Sequence, residues 1–297
     1  MRPLESVPNV SEGRDDAVIA AVGDAFALGA RLLDVHTDAD HNRSVYTLIG
    51  SEGDDALVES LLAGIAVACE SIDLRRHHGV HPRVGAADVV PLVPLRAEDM
   101  DRARAMALLL AARVGEDLGL PVFLYGEVGV DRRPAYFRRG GLEELARRVE
   151  TGELVPDFGP REIDPRVGAV LVGARAPLVA FNVVLTSEDV EIAREVAASV
   201  RESGGGIAGV QAIGLRLAST GRVQVSVNLI DVERASLHEV VDRIAREAEA
   251  RSVMVEGSEL VGLLPARVAL DAAAGPLWLP QLDPSQVLEL RLLEDLP

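Results

Sequence analysis

Five of the six histidines of the chain lie between His36 and His81, where they share two polar stretches with Asp34, Asp38, Asp40, Arg43 and Arg83. The stretches are residues 34–43 and residues 75–85. In the second, Gly79 and Gly85 admit backbone angles closed to other residues, and Pro82 disfavours helical geometry at His81, so that imidazole is held extended and still. Such a set suits general acid–base catalysis. A histidine with an ordinary pKa of about 6.5 can take a proton from an attacking amine and return it to a departing one. His81 is the expected acid and base, with Asp38 or Asp40 orienting its ring.

Two other readings compete at the same residues. One is a metal site built from His36, His41, His77, His78, His81 and the aspartates, but no spacing matches the helical His-Glu-x-x-His pattern, so no metal is expected. The other is anion binding by Arg43 and Arg83, with Arg75 or Arg76, because the guanidinium fork matches a carboxylate. The pairs Arg132-Arg133 and Arg138-Arg139 are expected to cover a solvated face. All 30 basic residues are arginine, which excludes Schiff-base and lysine-base chemistry. No Gly-x-Gly-x-x-Gly or Walker pattern opens a helix after a strand, so nucleotide binding is not indicated.

These groups need a scaffold, and the composition permits one. With 297 residues and 48% apolar content the chain can build one large core or two medium ones. A net charge of -17 argues against nucleic acid or an anionic membrane as partner. No apolar run is long enough to span a bilayer and the first residues lack a signal-peptide core, so the expected location is the cytoplasm. Cys69, the single cysteine, sits in an apolar helical stretch as core filler.

In chain order the hydrophobic periodicity predicts a strand at 3–10, a helix at 14–28, strands at 30–35 and 44–50, a helix at 56–70 and a strand at 86–94. Residues 34–43 then read as a polar loop between strands. A helix at 99–118, a strand at 121–125 and a short helix at 142–151 follow, and residues 156–168 form a long loop rich in proline and glycine. The pattern restarts with strands at 178–185, 210–217 and 222–229, helices at 187–203 and 236–250, and a strand near 253–255. The fold class is therefore α/β (α+β), two βαββαβ ferredoxin-like subdomains with a cleft between them, covering residues 1–176 and 177–297.

Several segments resemble the glutamate formiminotransferases, the transferase part of animal formiminotransferase-cyclodeaminase. They are Val7-Pro8-Asn9-Val10-Ser11-Glu12-Gly13, Asn42-Arg43-Ser44-Val45-Tyr46-Thr47, His81-Pro82-Arg83-Val84-Gly85-Ala86, Pro121-Val122-Phe123-Leu124-Tyr125-Gly126, Pro156-Asp157-Phe158-Gly159-Pro160, Gly173-Ala174-Arg175, Ala180-Phe181-Asn182 and Gly257-Ser258-Glu259-Leu260-Val261-Gly262-Leu263, in order along nearly the whole chain. The resemblance implies transfer of a formimino group from N-formimino-L-glutamate to tetrahydrofolate as co-substrate, in histidine degradation and one-carbon metabolism, by a homodimer, and makes the cleft between the subdomains a substrate channel. It places the catalytic histidine on His81, substrate contacts on Arg43, Arg83, His41 and Asn42, and the folate loop on Gly159, Pro160, Arg161, Arg166 and Gly168. The chain departs from the family at Val80, where animal members carry glutamate, at Val184, where many carry asparagine, and at Gln211, near which many carry a basic residue. Those departures leave two alternatives open: formyl transfer between 5-formyltetrahydrofolate and glutamate, and a folate-binding regulatory protein without turnover.

Overall fold

A computed structural model describes residues 3–130 and 132–274, which fall into two compact units dividing between Ala176 and Pro177. In the first unit the opening strand is broken. β1 (Leu4–Ser6) and β2 (Asn9–Val10) each pair antiparallel with β4 (Arg43–Ile49) on one side and β5 (Ala87–Pro94) on the other. Between them stands Pro8, which has no N–H to give to a ladder. α1 (Asp16–Phe26) begins where the Asp15 carboxylate accepts the N–H groups of Ala17 and Val18. It buries Ile19, Val22 and Phe26, an apolar stripe at helical spacing.

β3 (Arg31–Asp38) pairs with β4 at the sheet edge, and α2 (Asp54–Ser71) leads back toward β5. The polar residues 34–43 are thus largely strand and not the expected loop, with only residues 39–42 joining β3 to β4. Along β3, exposed and half-buried residues alternate without a break. That is strand periodicity, but charged side chains on both faces hide it from a reading that looks for apolar alternation.

α3 (Met100–Asp117), β6 (Val122–Gly126), α4 (Pro134–Arg138), α5 (Gly141–Glu150) and β7 (Val170–Ala174) complete this unit. β7 runs parallel to both β5 and β6 and lies between them. Neither β7 nor α4 is anticipated by the periodicity. Every residue of β7 is buried, so it merges with the apolar run that follows it. Successive residues there serve different cores: Val170 and Val172 pack with α1 to α3, while Leu171 packs with Phe123, Phe137 and Leu145 of the α4–α5 side.

The second unit contains β8 (Val179–Leu185), α6 (Val190–Val200), β9 (Val210–Arg216), β10 (Val223–Leu229), α7 (Leu237–Glu249), β11 (Val255–Val261) and α8 (Ala266–Ala274). Its sheet order is β11-β8-β10-β9, all antiparallel. The last strand lies further on than the expected 253–255, because it keeps going through the exposed residues Glu256 to Glu259. Each unit therefore contains a βαββαβ run whose strands stand in the order fourth, first, third, second; in the first unit β7 and β6 extend the sheet beyond the fourth strand.

Candidate active site

The histidine loop meets the β3–β4 turn, and the turn is built to receive it. Oδ1 of Asp38 accepts the N–H groups of Asp40 (2.8 Å) and His41 (2.9 Å), closing the turn. Asn42 then adopts a φ of 48°, a left-handed angle that asparagine tolerates better than most residues. Both ends of its amide are used: Oδ1 accepts from Gly13 N–H (2.9 Å) and Nδ2 donates to the His78 carbonyl (3.1 Å). Val80 N–H donates to the Asp40 carbonyl across 3.1 Å, so the two segments are stitched by backbone as well. A Cβ at Gly79 would collide with the His41 carbonyl, which is why a glycine stands at the point of closest approach.

This docking places His81 beside Arg43. Arg43 Nη1 lies 2.7 Å from His81 Nε2, and since a guanidinium only donates, the ring accepts there and carries its proton on Nδ1. The rings of His41 and His81 are 5.6 Å apart, tilted by 39°. His41 is 5% exposed, and its Nδ1 stands 3.4 Å from Asp38 Oδ2. Asp38 is thus paired with His41 and its own turn. Asp40 contributes its carbonyl to Val80 and keeps a half-buried side chain.

Arg83 is engaged within its own loop. It donates to His77 Nδ1 and to the Gly79 carbonyl (2.7 Å), while His77 Nε2 donates to the Asn42 carbonyl (2.9 Å). His36 sits on β3 opposite Val45, and His78 is exposed. No group of three or more metal-ligating side chains lies together among the described residues. Ser11, His41, Asn42, Arg43, His81, Arg83 and Asp88 line one shallow recess.

Two residues of this neighbourhood escape the sequence reading. Asp88, on β5, is buried and accepts Val84 N–H at 2.7 Å with Oδ1, while its Oδ2 binds Arg138 of α4. Arg138 is therefore not on a solvated face, as expected for the Arg138-Arg139 pair, but half-buried against Asp88. The pairing leaves little local signal, since α4 is short; a lone aspartate in an otherwise apolar strand is the one hint.

Electrostatics follow from this crowd of cations. Burial first, then Arg43, Arg138 and His41, hold His81 well below the ordinary imidazole value, with the Pro82 backbone pulling weakly the other way. Burial and Arg138 bring Arg43 down to about 9, opposed by Asp88 and Asp38, so it remains a cation at neutral pH. His77 is lowered by burial and then by Arg83. Neutral His77 and His81 thus stand among charged guanidiniums.

The family model for the N-terminal subdomain of the formiminotransferase domain matches residues 3–175, and that for the formiminotransferase domain matches residues 180–281. The chain belongs to the formiminotransferase family. It is 39% identical to the glutamate formimidoyltransferase of Streptococcus pyogenes serotype M1, with 98% of each chain covered. It is 36% identical to that of Thermoplasma acidophilum, again with 98% of each chain covered. Against the formimidoyltransferase-cyclodeaminase of Sus scrofa the identity is 43%, covering 91% of this chain and 52% of the other. The chain thus spans about half the length of the bifunctional relative and nearly all of the two glutamate formimidoyltransferases.

Within this formiminotransferase framework the loop at 159–168 has two ends with different neighbours. Gly159 packs on Leu120 and Gly115 at the α3–β6 turn. Gly168 bridges to Gly85 and closes on Val84, at the end of the histidine loop. Arg166 Nη2 donates to the Glu70 carbonyl (2.6 Å), and the Arg166 carbonyl accepts from Leu74 N–H (2.8 Å), so this arginine fastens the loop to the end of α2. Pro160 and Arg161 are exposed. In the second unit Val184 and Gln211 occupy the sheet face away from α6 and α7, the face that also holds the buried Asn182 and Gln224. Asn182 Nδ2 donates to Glu259 Oε2 at 3.2 Å.

Proposed function

We propose that the protein is a folate-dependent glutamate formimidoyltransferase of the cytoplasm, acting as a homodimer, that moves the formimino group of N-formimino-L-glutamate to tetrahydrofolate. The observation that carries this reading is the neutral, restrained His81 paired with Arg43 in a chain alike over 98% of its length to a glutamate formimidoyltransferase.

The folate amine attacks the formimino carbon and a new C–N bond forms. His81 accepts the amine proton at Nε2, then delivers it to the glutamate nitrogen as the old C–N bond breaks, so the proton ends on the departing glutamate. A lowered imidazole pKa leaves His81 unprotonated and able to accept at neutral pH, and makes the imidazolium a ready donor in the second step, at the cost of a weaker base in the first. Asp38, backed by His41, or Asp40 stabilises the amidinium as it develops. Arg43 is the carboxylate receptor, since Arg83 is occupied by His77 and Gly79. As a substrate carboxylate takes the Arg43 fork, it also frees the Nε2 lone pair that Arg43 covers. Gly159, Pro160, Arg161, Arg166 and Gly168 form the folate loop, of which Arg166 shapes the backbone and the exposed Arg161 meets the co-substrate.

A second reading is favoured by one feature. Arg43 and Arg138 both act on His81, and a cationic surround suits the oxyanion of formyl transfer better than an amidinium. A spectroscopic assay with tetrahydrofolate and N-formimino-L-glutamate, run beside 5-formyltetrahydrofolate with glutamate, separates the two. Faster turnover in the first supports formimino transfer. Turnover in the second alone replaces it with formyl transfer, and binding without turnover in either replaces both with a folate-binding protein.

A further inference from the structure

The Asp88–Arg138 pair has no part in the relay above, yet its construction is that of a site component. Asp88 is 3% exposed and Arg138 15% in their side chains. Burying two charges is costly, and an apolar pair of like volume would stabilise a core as well or better. Asp88 is also bidentate in a useful sense: one oxygen holds Arg138 and the other holds Val84 N–H, three residues beyond His81.

Arg138 in turn is mounted rigidly. The neighbouring Phe137 packs on Phe123 with ring centroids 5.2 Å apart. Arg148, fully buried on α5, donates to the Tyr136 carbonyl (2.9 Å) and places its guanidinium carbon 4.5 Å from the Tyr136 ring centroid. So the helix that presents Arg138 is held on both sides.

We propose that Asp88 and Arg138 form a brace that positions His81 and supplies, with Arg43, the second cation beside which that histidine must act. The proposal rests on the acid–base role assigned to His81. The charged and titratable groups around His81 are Arg43 on β4, Asp38 and His41 at the β3–β4 turn, Asp88 on β5, Arg138 on α4, and His77 and Arg83 in its own loop. Among them Arg138 ranks next after Arg43 in disfavouring the imidazolium, and it bears on Arg43 in the same sense. The brace thus keeps His81 a free base under conditions where an ordinary imidazole would be partly protonated.

The test follows the His81 ring C–H resonance by NMR against pH in the full chain, assigned with His81→Asn, for the native protein and for Arg138→Gln, Arg138→Lys and the double variant Asp88→Asn/Arg138→Gln. Removing the cation should raise the His81 midpoint by roughly half to one pH unit, and shift the acid limb of kcat/KM upward by the same amount. Arg138→Lys should bring the midpoint most of the way back. The double variant leaves no lone buried charge and should also raise the midpoint, but by less, because the Asp88 anion is lost with the cation; it carries the test if Arg138→Gln alone does not fold. An unmoved midpoint in either charge-removing variant overturns the proposal, even where turnover falls, because a purely structural brace would lower activity without moving the titration. The resonance needs no turnover, so a native protein inactive with both donors would count against the proposed function while the titration still judged the brace.

Discussion

Arg43 donates to Nε2 of His81 across 2.7 Å, covering the lone pair that the proposed base must use. The same contact discourages protonation of the ring. Arg43 therefore has two separable effects, one on affinity and one on titration. Arg43→Gln should raise KM for the glutamate donor by about tenfold or more, the scale of a lost charged hydrogen bond. It should also move the acid limb of the rate profile to higher pH, since His81 loses a neighbouring cation. A KM increase with an unmoved acid limb would show that Arg43 binds substrate without tuning the base.

The depressed imidazoles also bear on stability. His77 and His81 both lie below the ordinary value in the folded chain. Between those lowered values and about 6.5 the unfolded chain binds more protons than the folded one, so stability is present above that window and lost as pH falls through it. Thermal unfolding should show Tm dropping on acidification from about pH 7.5 to 5.5, and dropping less in His81→Asn. An equal drop in both proteins would place the acid sensitivity elsewhere.

Gly79 marks the closest approach of the two loops, where a methyl group would meet the His41 carbonyl. Gly79→Ala should push the loops apart and cost about 1–3 kcal/mol, the usual penalty for overpacking. Urea unfolding would measure it. Activity should fall further than this stability loss implies, because His41 and His81, whose rings lie 5.6 Å apart, belong to the two segments that would separate.

Cys69 has its thiol pushed up to about 11, chiefly by burial. The thiolate is the reactive form, so alkylation at about pH 8 should be much slower in the folded chain than in the denatured one. Equal rates would mean that the α2 segment opens readily.

The repeated βαββαβ order could be read from the sequence because α1, α2, α6 and α7 alternate with strands whose apolar faces are plain. That His81 and Arg43 meet was legible, since their two polar stretches border neighbouring strands of one βαββαβ run. The missing parts were hidden for identifiable reasons. β3 extends to Asp38 through alternating charged residues, and β7 is buried on both faces and has no period at all. Arg138 meets Asp88 across 50 positions in sequence, and only the packing of α4 against the sheet brings them together. Asp38 serves His41 and its turn by purely local geometry, which composition cannot distinguish from service to His81.

In the proposed relay His81 moves the proton in group transfer. Its most direct test is the turnover of His81→Ala against the native protein, with tetrahydrofolate and N-formimino-L-glutamate at saturating levels and folate binding checked separately. Loss of general acid–base catalysis should lower kcat by about 10²–10⁴-fold while folate still binds. Turnover within a few-fold of the native protein would rule out His81 as the acid and base.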